Sequence, residues 1–289
     1  MKRLMTLLLA AGLVLGATSA AKAVDFKMTG LWQNRVSFAD RNFEKHNGDD
    51  KMRAAKGVPS TAAITPIQFC EKYCQYADEG YTDVIHVPIN KSGSSTYNNA
   101  LMAQGMLREE RPEHHLKIHL LDPHTYSMVF GWYLCEMARK LQNGAEISHV
   151  IREFEKQMNC MEIILGPYSL RQMKKSGRIS AAAAVMGELM GIRPIITLID
   201  GKTKVEAKVR GDEKVVPAMI ELCKKRAEGV EDFEYMIGHT NIKQADDLEK
   251  ACRKAFGKPP LVVFELGGVV SANTGPDTVA LVYTGQPRN

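Results

Sequence analysis

The sequence predicts an α/β fold: a mainly parallel sheet flanked by helices, followed by a smaller α+β domain. Three observations carry this. Near-continuous apolar runs such as "DVIHVPI" (83–89) and "LKIHLLD" (116–122) have the look of strands buried on both faces. Helical patterns separate them, so strands and helices alternate from Pro59 onward, as βαβ units require. The stretch "RPIITLIDGKTKVEAKVRG" (193–211) then reads as a hairpin, which marks a departure from purely parallel architecture.

Each element has its own local signal. Residues 65–79 read as a helix, with Thr65-Pro66 at its start and Ile67, Cys70, Tyr73, Cys74 and Ala77 apolar. "DVIHVPI" follows as a strand, then a Ser-rich loop and a helix over about 97–109. After the strand "LKIHLLD" comes a helix over about 127–143. "MEIILG" (161–166) is a further strand, and a helix over 169–176 ends at Gly177. Ser180 is placed to cap an Ala-rich helix over 181–190 that Gly191 ends. In the hairpin, Asp200-Gly201 is the turn signal, and Val205, Ala207 and Val209 line one face. A helix near 213–228, a strand near 234–238, a helix near 242–256 and a strand at "LVVFELGG" (261–268) complete the chain. The expected organisation is a leader-like segment at 1–23, a separate segment at 24–56, an α/β domain at 57–159 and an α+β domain at 160–289.

The chain has 289 residues, of which 45% are hydrophobic and 25% charged, enough for one large or two modest globular domains. A net charge of +5 and few aromatics give no support for nucleic-acid binding. The first residues, "MKRLMTLLLAAGLVLGATSAAKA", follow the layout of a secretory signal peptide: Lys2-Arg3, an apolar run over 7–17 and a small-x-small cleavage site at Ala21-Lys22-Ala23. That run is short for a membrane span, and no other stretch is apolar enough for one. The six cysteines contain no C-x-x-C pair and sit among apolar neighbours, which favours free thiols over disulfides. Cys70 and Cys74 lie four apart on one helical pattern. The leader points to export and the thiols to a reducing compartment.

Four loops could hold an anion. "NKSGSSTYNNA" (90–100) lies between a buried strand and a helix, where open α/β sheets bind ligands, and it offers Ser92, Ser94, Ser95 and Thr96 with a helix N-terminus. A plain N-cap in a polar loop explains it equally well. "PSTAAITP" (59–66) is a weaker hydroxyl-bearing loop. "KKSGRIS" (174–180) presents Arg178 in a turn, and Arg210 ends the hairpin on its polar face. "GGVVSANTGP" (267–276) reads as a strand running into a turn with Ser271, Asn273 and Thr274. His114, His115 and His119 cluster in "EHHLKIH", yet His119 belongs to a strand pattern, so no metal site is expected. There is no Walker loop, dinucleotide fingerprint or nucleophile elbow.

The order of "SSTYNNA", "KKSGRISAAAAVMGELMGIRPI", the "DGK" to "KVRG" hairpin and "ANTGP" resembles the DegV family of fatty-acid-binding proteins, over about residues 57–289. The resemblance implies two domains with a long-chain fatty acid between them and no other cofactor. It implies a binding subunit, not an enzyme, that presents the acyl carboxylate to a separate ATP-dependent fatty-acid kinase, and it implies a cytoplasmic location. The alternatives are an enzyme acting on a small carboxylated or phosphorylated substrate in the same cleft, or an exported fragment without a working lipid site.

The family's carboxylate-holding T-S loop falls on Thr61-Ala62. Its S-G-T-Y loop falls on Ser94-Ser95-Thr96-Tyr97, and its H-x-G-P loop on Asn273-Thr274-Gly275-Pro276. The lipid-carboxylate residues so implied are Thr61, Ser94, Ser95, Thr96, Asn273 and Thr274. The G-R-I-S motif is unchanged at 177–180, so Arg178, with Arg210, is the expected head-group or kinase-docking cation. The family's first strand, ending in T-D-S, has no counterpart before Thr61. Residues 1–55, with "AVDFKMTGLW", resemble instead the start of an outer-membrane homotrimeric porin, which places a join near 55–57.

Overall fold

A computed structural model describes residues 4–9, 25–30, 61–177 and 191–288 of the chain. It divides into two compact units: Met1–Asn34 with Ala63–Asn159, and Arg35–Ala62 with Cys160–Asn289. The cleavage site at 21–23, the join near 55–57, the helix at 181–190 and Arg178 lie outside the described residues.

The first unit is built on a four-stranded parallel sheet. Its strands are β1 (Leu4–Leu9), β2 (Asp25–Gly30), β3 (Asp83–His86) and β4 (Lys117–Leu120), in the order β2-β1-β3-β4. A strand therefore precedes Thr61 in this sheet. Leu4–Leu9, inside the leader-like stretch, pairs with β3 from Met5↔Asp83 to Leu8↔His86.

Among the described residues, four helices belong to this unit: α1 (Pro66–Asp78), α2 (Thr96–Glu110), α3 (Met128–Gln142) and α4 (Ile147–Met158). α1 starts where the sequence says it should. The Thr65 hydroxyl accepts from the Gln68 N–H at 3.3 Å, and the Gln68 side chain accepts from the Thr65 N–H at 3.1 Å. This reciprocal capping box satisfies two donors that a helix start leaves open, and Pro66 fixes the first turn. α4 has no counterpart in the sequence expectation, although Val150, Phe154 and Met158 recur every four residues along its buried side. α1 and α2 pack over one face of the sheet, around Phe69, Tyr73, Val84, Ala103 and Leu107. Ile85, between Val84 and His86, is also fully buried. Successive strand residues point to opposite faces, so both faces of β3 are covered.

The second unit holds a six-stranded sheet ordered β7-β6-β5-β10-β8-β9. The strands are β5 (Met161–Pro167), β6 (Ile192–Ile199), β7 (Lys202–Arg210), β8 (Tyr235–His239), β9 (Val263–Glu265) and β10 (Thr278–Thr284). All neighbours run antiparallel except β8 and β9. The hairpin β6–β7 turns at Asp200 (φ 50°) and Gly201 (φ 74°), the paired left-handed conformation of a type I′ turn. The helices are α5 (Arg171–Ser176), α6 (Val215–Arg226), α7 (Ile242–Phe256) and α8 (Gly268–Thr274).

Two expectations at the C-terminal end need correction. "LVVFELGG" does not end the fold: its strand covers only Val263–Glu265, and β10 lies beyond it, paired to both β5 and β8. "GGVVSANTGP" is not a strand entering a turn. Gly268–Thr274 is helical, and only Gly275 (φ 89°) breaks it. The helix is held from outside, because the Gln172 side chain donates to the Ala272 carbonyl and the Ser176 hydroxyl to the Asn273 carbonyl. Tertiary contacts of this kind override a local preference for extended structure at Val269-Val270.

Ile164, Ile195, Met219, Ile237, Leu248 and Leu281 centre the core of this unit. Burying each such aliphatic side chain contributes about 1.5–3 kcal/mol. Among the described residues, Glu162 is the buried carboxylate at its margin, 6% exposed. The Arg226 guanidinium grips it through two bonds of 2.7 and 3.2 Å, and the Tyr283 hydroxyl donates to the same carboxylate at 2.5 Å. These contacts tie α6 to the central strands β5 and β10.

Candidate functional site

The first unit carries a polar cradle at the carboxyl ends of β3 and β4. The loop after β3 contains Asn90, which is fully buried and folded back on itself. Its side-chain oxygen accepts from the Ser92 N–H at 2.7 Å, and its carbonyl accepts from the Gly93 N–H at 3.1 Å. Its own N–H donates to the Thr125 carbonyl in the loop after β4. Asp122 in that second loop accepts from the backbone N–H groups of Lys91 and His124, and its carboxylate lies 3.5 Å from the Lys91 ammonium. The two loops are thus laced together.

Gly93 is needed where they meet. A Cβ there would stand 1.9 Å from the Tyr126 hydroxyl oxygen. The second loop is strained as well: His124 (φ 55°) and Ser127 (φ 60°) adopt left-handed backbone conformations unusual for residues with side chains.

Helix α2 begins at the end of this loop. Ser94 accepts from the Thr96 N–H at 3.2 Å, and the hydroxyls of Ser94 and Thr96 lie 2.7 Å apart. One proton is shared within that hydroxyl pair, so a second is free to point outward. Ser95 is exposed and makes no side-chain capping bond. The Asn99 N–H returns to the Ser95 carbonyl, while the N–H groups of Tyr97 and Asn98 have no partner among the described residues. The Asn90 amide nitrogen and the Thr125 hydroxyl are also buried without a hydrogen-bond partner. Open N–H groups at the start of a fifteen-residue helix, with its dipole and buried unsatisfied donors beside them, suit a carboxylate or phosphate.

The other predicted residues fall in the second unit. Thr61 is half-buried just before α1 and is grouped with this unit. Asn273 sits in α8, where its side-chain nitrogen donates to the Val269 carbonyl at 2.8 Å, leaving one N–H of the amide. The Thr274 hydroxyl donates to the Val270 carbonyl, so its oxygen remains as an acceptor. Arg210 is exposed at the end of β7. The structure therefore brings Ser94, Ser95 and Thr96 together in one cradle.

The sequence reading credited that cradle to hydroxyls. It missed Asn90, Asp122, Thr125 and Tyr126, although Asn90 opens the quoted loop. The unsatisfied amide is a consequence of three-dimensional burial and leaves no trace in sequence spacing. Beneath the cradle, on β3, His86 is 5% exposed and its Nδ1 lies 2.6 Å from the Tyr73 hydroxyl. Burial lowers its pKa to about 3, so the ring is neutral. Burial also raises the Tyr73 and Tyr126 hydroxyls above the ordinary tyrosine value. No nucleophile is paired with a base among the described cradle residues.

Among the described residues, no helix is long and apolar enough to cross a membrane. The sequence profile described as "Uncharacterised protein, DegV family" matches residues 32–286. A DegV domain-containing protein of Clostridium acetobutylicum is 26% identical over 253 residues, covering 86% of this chain and 87% of that protein. Two solved structures show the same fold. One is a DegV lipid-binding protein from Thermotoga maritima, with a TM-score of 0.73, 21% identity and full coverage of both chains. The other is a stearic-acid-binding protein from Eubacterium ventriosum, with a TM-score of 0.78, 17% identity and coverage of 99% of this chain and 98% of that one. The profile begins inside the segment read as porin-like, and the supposed join near 55–57 falls within the matched region. The porin resemblance of the N-terminal segment is therefore not supported. With its profile match and its fold in agreement, the chain belongs to the DegV family.

Proposed function

We propose that this chain binds a long-chain fatty acid and presents its carboxylate to a separate ATP-dependent kinase, acting as a carrier with no cofactor of its own. The observation that carries the reading is the cradle at the start of α2: unpartnered N–H groups of Tyr97 and Asn98, the Ser94–Thr96 hydroxyl pair and the buried, unsatisfied amide of Asn90. Family membership and the lipid-binding relatives support the choice of a fatty acid over other anions.

The energetics suit a carrier. An acyl chain of about sixteen carbons that loses its water contributes on the order of 12 kcal/mol gross, at about 0.8 kcal/mol per CH2. Its carboxylate is costly to dehydrate unless donors meet it, and the cradle supplies them. In the transfer step a carboxylate oxygen attacks the γ-phosphorus of ATP. The bond to the ADP oxygen breaks, and an acyl phosphate forms. ATP and its magnesium come from the kinase. Thr61, Asn273 and Thr274, which the family resemblance implies as carboxylate residues, and Arg178 and Arg210, which it implies as head-group or docking cations, are each to be tested singly by substitution.

Lipid extraction of the purified chain followed by mass spectrometry should release about one fatty acid per protein. Ser94→Ala with Thr96→Val should lower palmitate affinity at least tenfold, with circular dichroism confirming that the variant remains folded at the assay temperature, since the Ser94 bond to the Thr96 N–H is lost as well. A chain that carries no lipid and fails to bind added palmitate would overturn the carrier reading. Acyl phosphate formation only when chain, kinase, ATP and fatty acid are combined tests the presentation step.

A further inference from the structure

Away from the cradle, α1 and the end of α2 bring three ligating side chains together. Cys70 and Cys74 stand one turn apart on the same face of α1, both buried at 1% and 6% exposure, with their sulfurs 3.9 Å apart. The Glu110 carboxylate closes the triangle, 3.5 Å from the Cys70 sulfur and 3.6 Å from the Cys74 sulfur. We propose that Cys70, Cys74 and Glu110 form a binding site for a thiophilic divalent cation of the zinc or cadmium type. This proposal is independent of lipid binding.

The distances fit such an ion. With zinc–sulfur bonds of about 2.3 Å, a sulfur separation of 3.9 Å corresponds to an S–Zn–S angle of about 116°, close to the tetrahedral angle of about 109°. With a zinc–oxygen bond of about 2.1 Å, a tetrahedral site sets each sulfur about 3.6 Å from the ligating oxygen; here the Cys70 sulfur stands 3.5 Å from Glu110 Oε1 and the Cys74 sulfur 3.6 Å from Glu110 Oε2. The two sulfurs and a carboxylate oxygen lie within 4.8 Å of one another, so a small rotation of the exposed Glu110 side chain brings one oxygen to both sulfurs.

The fourth position is accessible. Cys74 and Glu110 border a surface depression of about 500 Å³ that Asp78 and Arg111 also line. Two thiolates and a carboxylate around a divalent ion leave one negative charge. Arg111, held to Asp78 by bonds of 3.0 and 3.2 Å, provides a neighbouring cation. The remaining buried thiols differ in this respect. Cys223 and Cys252 lie in the apolar core of the second unit, and among the described residues only the Cys70–Cys74–Glu110 group has ligating geometry.

The test uses the full chain, reduced and stripped with chelator, then titrated with Cd2+ while the ultraviolet thiolate-to-cadmium absorption is recorded. Zn2+ affinity is measured by competition with a chromophoric chelator. The expected result is a band that saturates at one equivalent and is absent from the Cys70→Ser/Cys74→Ser double variant. Because those positions are buried, Glu110→Gln carries the test on a chain whose exposed carboxylate alone is changed, with circular dichroism to confirm folding. It should weaken both metals at least tenfold, while Cys223→Ala leaves the band in place. Absence of the band at one equivalent, or Glu110→Gln with unchanged affinity, overturns the proposal.

Discussion

His86 makes the stability of the first unit depend on pH in a calculable way. The ring lies on β3 against Phe69, with centroids 4.9 Å apart, and hydrogen-bonds to Tyr73. Burial holds its pKa at about 3, whereas in the unfolded chain it returns to the ordinary histidine value of 6.5. Between those values the unfolded state binds a proton that the folded state refuses. The folded-state pKa is depressed, so the stability is complete above pH 6.5 and is lost as pH falls toward 3. The slope is about 1.4 kcal/mol per pH unit, giving a loss of about 2 kcal/mol at pH 5 and about 3 kcal/mol at pH 4.

His86→Asn removes the titration while leaving a group that can bond Tyr73. Urea unfolding of both chains across pH 8 to 5 is the assay. The wild-type stability should fall relative to that of the variant by about 2 kcal/mol over this range. Parallel curves, agreeing within about 0.5 kcal/mol, would refute a buried neutral imidazole.

Two further outcomes concern stability. Arg226→Met leaves the Glu162 carboxylate buried with Tyr283 as its remaining strong donor. The cost should be about 2–3 kcal/mol in urea unfolding at pH 7, below the range for a fully buried pair because the Arg226 side chain is 29% exposed. Thr65→Ala removes half of the capping box of α1 and should lower stability by about 1 kcal/mol, read as a drop of a few degrees in melting temperature.

What could be read in advance was what local chemistry decides. Thr65, Pro66 and Gln68 set the start of α1 by themselves, and Asp200-Gly201 needs no partner to turn a hairpin. β10 has no counterpart in the sequence expectation, which ends on "LVVFELGG", although "TVALVYT" carries the continuous apolar centre of a strand buried on both faces. α8 escaped for a different reason. "GVVSANT" is a poor helix by propensity, and bonds from Gln172 and Ser176, about a hundred residues earlier, support it. The cradle was half visible: its hydroxyls stand in the sequence, but the orphaned Asn90 amide depends on burial by the loop after β4. Likewise, the four-residue spacing of Cys70 and Cys74 can be seen at once, whereas Glu110 joins them only because α1 and α2 pack together.

The place of β1 has a consequence for how this chain could be handled in a cell. Leu4–Leu9 lies between β2 and β3, with hydrogen-bonding neighbours on both sides. Cutting after Ala23 would extract an interior stave from the sheet and leave the inner edges of Asp25–Gly30 and Asp83–His86 facing a missing partner. Exposed strand edges of that kind invite pairing with other chains. The same six residues cannot be both a discarded export tag and a structural member, so processing at that point and this fold are mutually exclusive fates for one polypeptide.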